Sequence, residues 1–311
     1  MKNLIVILLL CTATSVAWAQ PEYFGCHHFM NKHPKPKALT DAEKAAMDAS
    51  IFRSDTFDIL HYDIHIDVTD DFNQVITAAT TISYMPKEPN LSSIIFDLFE
   101  LTVDSVLDGN GNMTYNYDNE FLQVYFDESP VAFDTLNLTV FYHGEPHADP
   151  YWGGFYFDLG YIYNLGIGLT TVPPNHGKVW YPCFDTFIER ARYDYHVKSA
   201  DGNLAFCQGD LMEEIQLDGD TVIRHFAFDY PIPSYLSGIA VSNYESYEYI
   251  HNGLNGDIPV SLVARPPQMN AMQNVFSELG FAIDALEYWY GPYAWSRVGY
   301  ILTTDGALEI P

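Results

Sequence analysis

The sequence has few basic side chains: 14 Lys and Arg stand against 41 Asp and Glu, which gives a formal net charge of −27 at pH 7. A field of this sign repels the phosphate backbone of nucleic acids and the surface of anionic lipids. The acidic residues are scattered along the chain, as on a solubilising surface, and are not gathered into a tail. We therefore expect no nucleic-acid partner.

Long apolar runs are also missing. The run Leu4–Leu10 is far shorter than the ~20 residues that a membrane-spanning helix needs, and no later segment supplies one. This run follows Lys2 and precedes small residues at Ala17 and Ala19, which is typical of a secretory signal peptide. We expect residues 1–19 to be removed and the mature protein to be secreted or periplasmic, with no membrane span.

Cysteine is scarce, with four in the whole chain. After signal cleavage Cys26, Cys183 and Cys207 remain, an odd number in an oxidising compartment. Cys183 and Cys207 could pair and leave Cys26 free or bound to another chain, and the spacing does not decide between these arrangements. No histidine lies within five residues of Cys183, which favours a buried packing cysteine over a nucleophile.

Several catalytic motifs are absent from the sequence, including G-x-S-x-G and a complete G-x-G-x-x-G. The stretch YHGEPH contains His143, Glu145 and His147 and superficially resembles a zinc motif. Gly144 and Pro146 would break the helix that such a motif requires, so we interpret the stretch as a strand that ends in a turn.

Two other stretches offer metal ligands. CHHFMNKH supplies Cys26, His27, His28 and His33 in a segment without regular periodicity, where only a weak adventitious site is expected. DGNGN at Asp108 has the spacing of a calcium loop but lacks its later glycine and glutamate, so we predict a hairpin turn.

Strict alternation of apolar and polar residues dominates the chain from Phe57 onward. In LHYDIHIDV the polar residues His61, Asp63, His65 and Asp67 share one face, which predicts a strand with one buried side and one wet side. Two of these residues could meet a metal ion, although an exposed sheet face explains them equally well.

Similar strands recur up to about Ala264, separated by turn signals and with no long amphipathic helix between them. The candidate strands are VITAATTISYM, SSIIFDL, LTVDSVL, FLQVYF, TLNLTVFYHG, GGFYFD, ARYDYHVKS, VIRHFAFDY, SGIAVSNYES and PVSLVARP. This pattern predicts an antiparallel, mainly β architecture. A different period begins after Pro266-Pro267, where a helical stripe runs from Gln268 to Tyr290 and Gly291-Pro292 stops it. We place a domain boundary near Ala264.

Five short motifs then point to a family. WYPCFD, beginning at Trp180, resembles the W-F-P-C-x-D signature of the aminopeptidase N family of zinc metallopeptidases. Four further stretches resemble other family segments in the family's order: HYDIHIDV, LNLTVFYHGEP, YPIPSYLSGIAVSNYE and LEYWYGPYAWSRVGYILTTDGALEIP. The resemblance covers most of Phe57 to Pro311.

Together, the residue patterns and the resemblance divide the chain into four regions. The residue patterns predict a signal peptide over 1–19 and a mobile mature N-terminus over 20–55 that includes the helix-like DAEKAAMDA. The resemblance implies the other two. Residues 56–264 form an antiparallel, saddle-like β-sandwich N-terminal domain. Residues 265–311 hold the first helix and strands of a thermolysin-like α+β catalytic domain.

The resemblance also implies site residues. Gly306, Ala307 and Glu309 lie where the family aligns a peptide substrate, with backbone hydrogen bonds from the first two. Glu309 would receive the free α-amino group of the peptide, because a carboxylate at a closed cleft end pairs with an ammonium. Leu308 and Ile310 depart from the family's methionine and asparagine.

A larger departure concerns recognition of the amino group and zinc. Thr171 falls where the N-terminal domain of the family carries glutamine or glutamate, and threonine cannot form that ion pair. The H-E-x-x-H helix and the later glutamate that hold zinc in the family would lie beyond Pro311. We therefore expect zinc in the full-length family enzyme, no zinc held by this chain, and no catalytic residue within it.

The resemblance thus predicts the N-terminal part of a secreted zinc aminopeptidase that hydrolyses N-terminal residues from peptides, inactive without the missing C-terminal catalytic region. The alternative is a non-catalytic secreted β-sandwich that binds peptide or a partner protein through its terminal edge strand. A carbohydrate-binding module is a weaker third hypothesis, because the aromatic residues fall mainly on the apolar side of the strands.

Overall fold

A computed structural model describes residues 38–304, and the part from Leu39 onward belongs to one compact unit. The chain enters it through helix α1 (Asp41–Thr56). A capping box begins this helix, because the Thr40 hydroxyl accepts from the Glu43 amide while the Glu43 carboxylate accepts from the Thr40 amide. The helix-like character of DAEKAAMDA is confirmed, and the mobility of residues 20–55 stays a prediction.

Strands are the commonest regular element among the described residues. In chain order they are β1 (Phe57–Asp70), β2 (Val75–Pro86), β3 (Ser93–Asp97), β4 (Thr102–Asp108), β5 (Gly111–Asn112), β6 (Tyr115–Tyr117), β7 (Phe121–Tyr125), β8 (Leu136–Gly144), β9 (Gly153–Asp158), β10 (Tyr161–Gly168), β11 (Ala191–Ser199), β12 (Leu204–Cys207), β13 (Asp210–Gln216), β14 (Val222–Ile232), β15 (Ile239–Ser242), β16 (Glu245–Gly253), β17 (Gly256–Ala264) and β18 (Val298–Ile301). Two helices lie between β17 and β18, α2 (Pro266–Val275) and α3 (Leu279–Tyr290).

The strands form four sheets. The largest has the order β13-β14-β11-β1-β2-β8-β4-β5, and a second has the order β12-β15-β10-β9. Two three-stranded sheets follow, with the orders β3-β7-β6 and β16-β17-β18. The fold is therefore mainly β and rich in antiparallel pairs, as the sequence predicts.

Among the described strands, two pairs are parallel within these mainly antiparallel sheets. β1 runs parallel to β11, and β17 runs parallel to β18. In each pair the two strands are joined by a long connection rather than a hairpin, which permits parallel pairing. Alternation along one strand carries no information about the direction of its neighbour.

The core lies under the inner face of the large sheet. Alternate residues of β1, including Tyr62 and Ile64, are buried, and so are Tyr193 and Tyr195 of β11. The Tyr62 ring stacks on Tyr193 at a centroid distance of 5.3 Å and meets Tyr181 edge-on at 5.4 Å. Aromatic packing of this kind stabilises the sandwich beyond simple area burial.

The helical region differs from the single helix predicted over 268–290. α2 ends at Val275 and α3 begins at Leu279, with a turn through Phe276 between them. The Phe276 ring packs on Tyr300 of β18 at 4.2 Å, a tertiary contact that local periodicity does not show. Four residues of the predicted stripe are buried against β17, namely Met269, Met272, Leu279 and Ile283. Gly291 ends α3 at a φ of 94°, as predicted.

No helix within residues 38–304 is both long enough and apolar enough to cross a membrane.

Candidate functional site

A cavity of about 870 Å³ lies beside the last described segment of the chain. One wall comes from the second sheet through Tyr163 and Gln208, and another from α3 through Leu279 and Ile283. Residues 291–304 complete the lining. The cavity is mostly apolar and open, which is typical of a surface that receives a ligand or another part of a protein.

The segment after β18 is fastened to this cavity. The Leu302 amide donates to the Val263 carbonyl at 2.9 Å, and the Tyr244 hydroxyl donates to the Leu302 carbonyl at 2.7 Å. Thr304 Oγ1 lies 2.9 Å from the Tyr163 hydroxyl, within hydrogen-bond distance. The chain is therefore held along the cavity edge two residues before Gly306.

Two charged side chains, Glu287 and Arg297, line the cavity, and both are hydrogen-bonded to the backbone. The Glu287 carboxylate accepts from the Leu254 amide at 2.9 Å and from the Tyr293 amide at 2.8 Å. Arg297 donates to the Cys207 carbonyl at 2.7 Å, and burial lowers the pKa of its guanidinium. The Ser261 hydroxyl also lines the cavity. It is buried and has no hydrogen-bond partner among the residues that the structure describes, so it is available to bond a ligand.

These residues do not fit the catalytic zinc ion that the resemblance implies for the family. Among the described residues that line the cavity there is no histidine, and the one carboxylate already holds two backbone amides. Burial raises the pKa of the Cys207 thiol, which keeps it protonated and unsuited to bind a metal. The described residues that line the cavity therefore offer a surface for binding a ligand but no set of metal ligands.

The predicted substrate-binding residues Gly306, Ala307 and Glu309 lie outside the described residues, and their role stays a prediction. Thr171, at the position of the family's glutamine or glutamate, lies in the loop after β10. Its hydroxyl is 3.3 Å from both the Gly168 carbonyl and His176 Nδ1. The side chain is therefore engaged within its own loop.

The WYPCFD motif is buried and structural. Trp180, Tyr181 and Cys183 are shielded from solvent, and so is Asp185. Desolvation raises the pKa of the Asp185 carboxyl group, which accepts a hydrogen bond of 2.6 Å from the Ser234 hydroxyl. The motif is thus joined to the separate segment that carries Ser234.

An acidic network next to this motif was missed by sequence reasoning. Asp97 Oδ2 accepts from the Asp185 amide at 2.9 Å and pairs with the Arg53 guanidinium at 2.6 Å. These residues lie 44 and 88 positions apart from Asp97 along the chain, so no local pattern could join them.

Both described cysteines are free thiols. Cys183 is buried at an isolated bridge to Asp97, whereas Cys207 ends β12 in the second sheet. Pairing of Cys183 with Cys207, which the spacing left open, is therefore wrong for this structure, while the packing role of Cys183 is confirmed. Cys26 and the CHHFMNKH stretch lie outside the described residues.

Both disfavoured metal motifs have the predicted local structure. β8 ends at Gly144, whose φ of 146° suits a turn and not a helix, and His143 pairs with Asp104 at 2.9 Å. At Asp108 the carboxylate accepts from the amides of Asn110 and Gly111, which closes the predicted hairpin between β4 and β5.

The polar face of β1 is partly exposed, with His65 exposed and His61, Asp63 and Asp67 of intermediate burial, and it has neighbours that one strand could not reveal. His196 of β11 and His225 of β14 lie on the same face, and together with Asp63, His65 and Asp194 they form two overlapping groups of possible metal ligands. Only sheet register brings these residues together.

Comparison with known proteins adds to this picture. The family model of the Peptidase M1 N-terminal domain matches residues 59–236, more than half of the chain. No curated protein sequence matches the chain.

Solved structures resemble the chain over most of its length. An M1 zinc metallopeptidase from Deinococcus radiodurans superposes with a TM-score of 0.71 at 19% identity, covering 81% of this chain and 58% of its own. A two-domain M1 zinc metallopeptidase mutant bound to L-tryptophan gives 0.72 at 19% identity, with the same coverage of both chains. A mutant of the Deinococcus radiodurans enzyme bound to a Tyr-Ser-Ala substrate gives 0.69 at 19% identity, again covering 81% and 58%. The chain thus spans less than two thirds of these proteins.

Proposed function

The chain belongs to the family of the Peptidase M1 N-terminal domain, and from this premise we propose that it is the N-terminal part of a secreted zinc-dependent aminopeptidase. Its role there would be to hydrolyse N-terminal residues from peptides together with a C-terminal catalytic region. The match of the family model over residues 59–236 carries this proposal. The similar fold of M1 zinc metallopeptidases, one of them bound to a tripeptide, supports it.

We propose that Glu309 receives the ammonium group of the substrate while Gly306 and Ala307 offer backbone hydrogen bonds to the peptide. The position of the preceding segment supports this role, because the contact of Thr304 with Tyr163 holds the chain at the cavity edge. A carboxylate that pairs with a free amine restricts cleavage to the first residue of a peptide.

We also propose that the 311 residues alone have no peptidase activity. In the family, zinc polarises the scissile carbonyl and activates water. The described residues around the cavity include no imidazole, and their carboxylate is already bonded, so this chain would supply binding surface only. Its own residues would position the substrate without moving a proton.

Hydrolysis of amino-acid anilides by the purified chain tests this proposal. We expect no release of the anilide product, with or without added Zn²⁺. Chelator-sensitive hydrolysis by the 311 residues would contradict the assignment of catalysis to a missing region.

The role of Glu309 is tested in the product of the complete reading frame, if that frame continues past codon 311 into H-E-x-x-H. Glu309→Gln should raise KM for peptides with a free amino terminus by on the order of tenfold, because a charge-assisted hydrogen bond becomes a neutral one. Glu278→Gln, an exposed acid between α2 and α3, is the matched control and should leave KM unchanged.

Secretion is tested separately. The mature protein should begin at Gln20 when its amino terminus is sequenced, and an intact Met1 would argue against the proposed signal peptide.

A second candidate function is a non-catalytic protein that binds a peptide or partner. It is favoured by β18, which lies at the edge of its sheet, and by the exposed aromatic residues of α3. A stop codon after Pro311 in independent copies of the gene would favour this second function. An open frame that encodes H-E-x-x-H would favour the aminopeptidase.

A further inference from the structure

A cluster of histidine and aspartate side chains lies on the outer face of the large sheet. Its members, which we call the histidine face, are His61, Asp63, His65, Asp194, His196 and His225. They come from three adjacent strands, β1, β11 and β14.

Sheet register places these residues in two rows. His65 pairs with His196 across the parallel strands, and His196 pairs with His225 across the antiparallel ones, so three imidazoles lie side by side. Asp63 pairs with Asp194 in the row two residues earlier. Because side chains alternate along a strand, all five project from the same face of the sheet.

The imidazole rings are stacked. The centroids of His65 and His196 are 4.0 Å apart with nearly parallel planes, and those of His196 and His225 are also 4.0 Å apart. The stacking holds the three imidazoles close together on one face of the sheet. Imidazole nitrogens are common ligands of Zn²⁺.

The oxygen donor of Asp63 faces two of these rings. Asp63 Oδ1 lies 3.3 Å from His65 Nε2 and 3.2 Å from His196 Nε2. Two ligands of a tetrahedral zinc ion, bound at 2.0–2.2 Å, lie roughly 3.3–3.5 Å apart. The observed separations are close to this edge length, and the three donor atoms all lie within 4.8 Å of one another.

Asp63 Oδ1 is also a polar atom in need of a partner. It is shielded from solvent and lacks a hydrogen bond of acceptable geometry, although both imidazoles are near. This unpartnered carboxylate oxygen is available as a ligand.

Asp194 has a different place in the cluster. Its two oxygens lie 2.7 Å from His61 Nε2 and 2.5 Å from His225 Nε2, which are hydrogen-bond distances shorter than a zinc coordination edge. Asp194 thereby orients His225, whose ring lies against His196. It acts as a positioning residue and supports the group of Asp63, His65 and His196.

We propose that Asp63, His65 and His196 form a binding site for a borderline divalent cation such as Zn²⁺. Two imidazole nitrogens and one carboxylate oxygen suit Zn²⁺ and disfavour Mg²⁺ and Ca²⁺, which take oxygen ligands. Water completes the coordination on the solvent side. The ion would fasten β1 to β11, the parallel pair at the centre of the large sheet.

Binding requires the two stacked rings to turn so that their Nε2 lone pairs converge on the ion. The last torsion of histidine is broad, and the side chain of His65 is 54% exposed, so the His65 ring has room to turn. The His196 side chain is 23% exposed and stacks between His65 and His225, so its ring has less room. This site departs from the expectation that the chain holds no zinc. It lies on the outer face of the large sheet and does not depend on the proposed aminopeptidase function, so neither proposal fails with the other.

Titration calorimetry of the purified chain with ZnCl₂, after removal of any histidine tag, tests the site. We expect a single equivalent of Zn²⁺ to bind and the thermal midpoint to rise with the zinc concentration, because the ion binds only the folded chain. His65→Gln and His196→Ala should each weaken binding by tenfold or more and abolish the rise. Asp194→Asn should weaken binding on the order of tenfold, as expected for a positioning residue.

Two controls make the result decisive. His143→Ala removes another exposed histidine paired with an aspartate and should leave zinc affinity unchanged. A variant with His27, His28 and His33 all changed to alanine removes the other histidine-rich stretch and should also bind normally. His65→Gln changes an exposed side chain, so its folding is secure even if His196→Ala does not fold.

The proposal is overturned if the chain takes up no Zn²⁺, or if uptake is unaffected by His65→Gln. It is equally overturned if the triple change at His27, His28 and His33 abolishes binding, since the ligands would then be those residues.

Discussion

At the scale of single residues, the most distinctive side chains of the sequence perform structural work. Asp185 sits at the end of the WYPCFD motif, buried beneath Ser234 and bonded through its amide to Asp97. An ionisable group in such a place is often interpreted as catalytic. Its partners here are backbone amides and a hydroxyl of the same fold, which explains the motif without any reaction.

His176 is a buried base whose ionisation opposes folding. Burial is the main reason that its pKa is lowered to about 4, with the Lys178 charge adding to the effect, while Asp149 acts in the opposite direction. His147, whose ring lies parallel at 6.0 Å, also faces it and lowers its pKa further. In the unfolded chain the pKa returns to about 6.5.

This difference predicts the sign of one pH dependence. Between pH 6.5 and about 4, His176 binds a proton in the unfolded chain but not in the folded chain. The free energy of unfolding therefore falls as the pH falls. The loss attributable to His176 is about 3 kcal/mol. Urea unfolding at several pH values should show a weaker pH dependence for His176→Gln than for the wild type.

Comparing His176→Gln with the wild type isolates the contribution of His176 to the pH dependence of stability. Burial raises the pKa of Asp185 and of Glu189, which gives the opposite trend, but these groups are present in both proteins. Parallel stability curves for the variant and the wild type would show that His176 does not contribute.

At the scale of elements, α1 is attached to the sandwich through one side chain near its end. Arg53 pairs with Asp97 at 2.6 Å, donates to the Ile95 carbonyl at 3.0 Å, and lies 5.1 Å from the centroid of the Phe184 ring. The Arg53 and Asp97 side chains are 14% and 7% exposed, so the pair is largely desolvated.

Removal of this cation should therefore be costly. Arg53→Met leaves the Asp97 carboxylate buried without its partner, and we expect the free energy of unfolding to fall by about 3–5 kcal/mol. Urea denaturation measures the change. Lys44→Ala, which breaks an exposed pair with Asp41 in the same helix, is the matched control and should alter stability little. Equal effects of the two changes would contradict the role assigned to Arg53.

Whether a strand could be predicted from the sequence depended on how its two faces are buried. β1 and β11 each have one buried face and one wetter face, so their sequences alternate and both were found. β10 is buried along most of both faces, whereas β13 is exposed throughout. Neither alternates clearly, and both were missed, because a period of two arises only when the two faces meet different surroundings.

At the scale of the whole molecule, a patch of apolar side chains is exposed on α3. We call it the α3 patch, and it consists of Phe281, Leu286, Tyr288, Trp289 and Tyr290, each exposed by more than half. Leu286 and Tyr290 belong to the helical stripe that the sequence predicts to be buried, so that part of the prediction is wrong for the described chain. Exposed apolar surface of this kind marks an interaction site.

The α3 patch should make the isolated chain associate with itself. Trp289 is 75% exposed, and Trp289→Gln should weaken self-association measured by sedimentation velocity across a concentration series. Phe72→Gln is the matched control, because Phe72 is 91% exposed in the turn after β1, away from α3 in the sequence, and its change should have no effect. Identical sedimentation of all three proteins would contradict an adhesive role for the patch.

The sequence by itself determined the mainly β class, most strand positions, the helical stripe after Pro266 and the family, because these depend on local periodicity and short motifs. It also led correctly to a turn at Gly144 and a hairpin at Asp108. Of the candidate site, the sequence predicted only Gly306, Ala307 and Glu309, which lie outside the described residues, so their role stays a prediction.

Tertiary structure alone decided which distant residues meet. Three examples depend on how the strands are ordered and aligned in the sheets. They are the parallel pairing of β1 with β11, the ion pair of Arg53 with Asp97, and the row of His65, His196 and His225. Such contacts join residues 29 (225 − 196) to 131 (196 − 65) positions apart, and the free energy that selects them comes from burial of the whole core. No window of sequence contains that information.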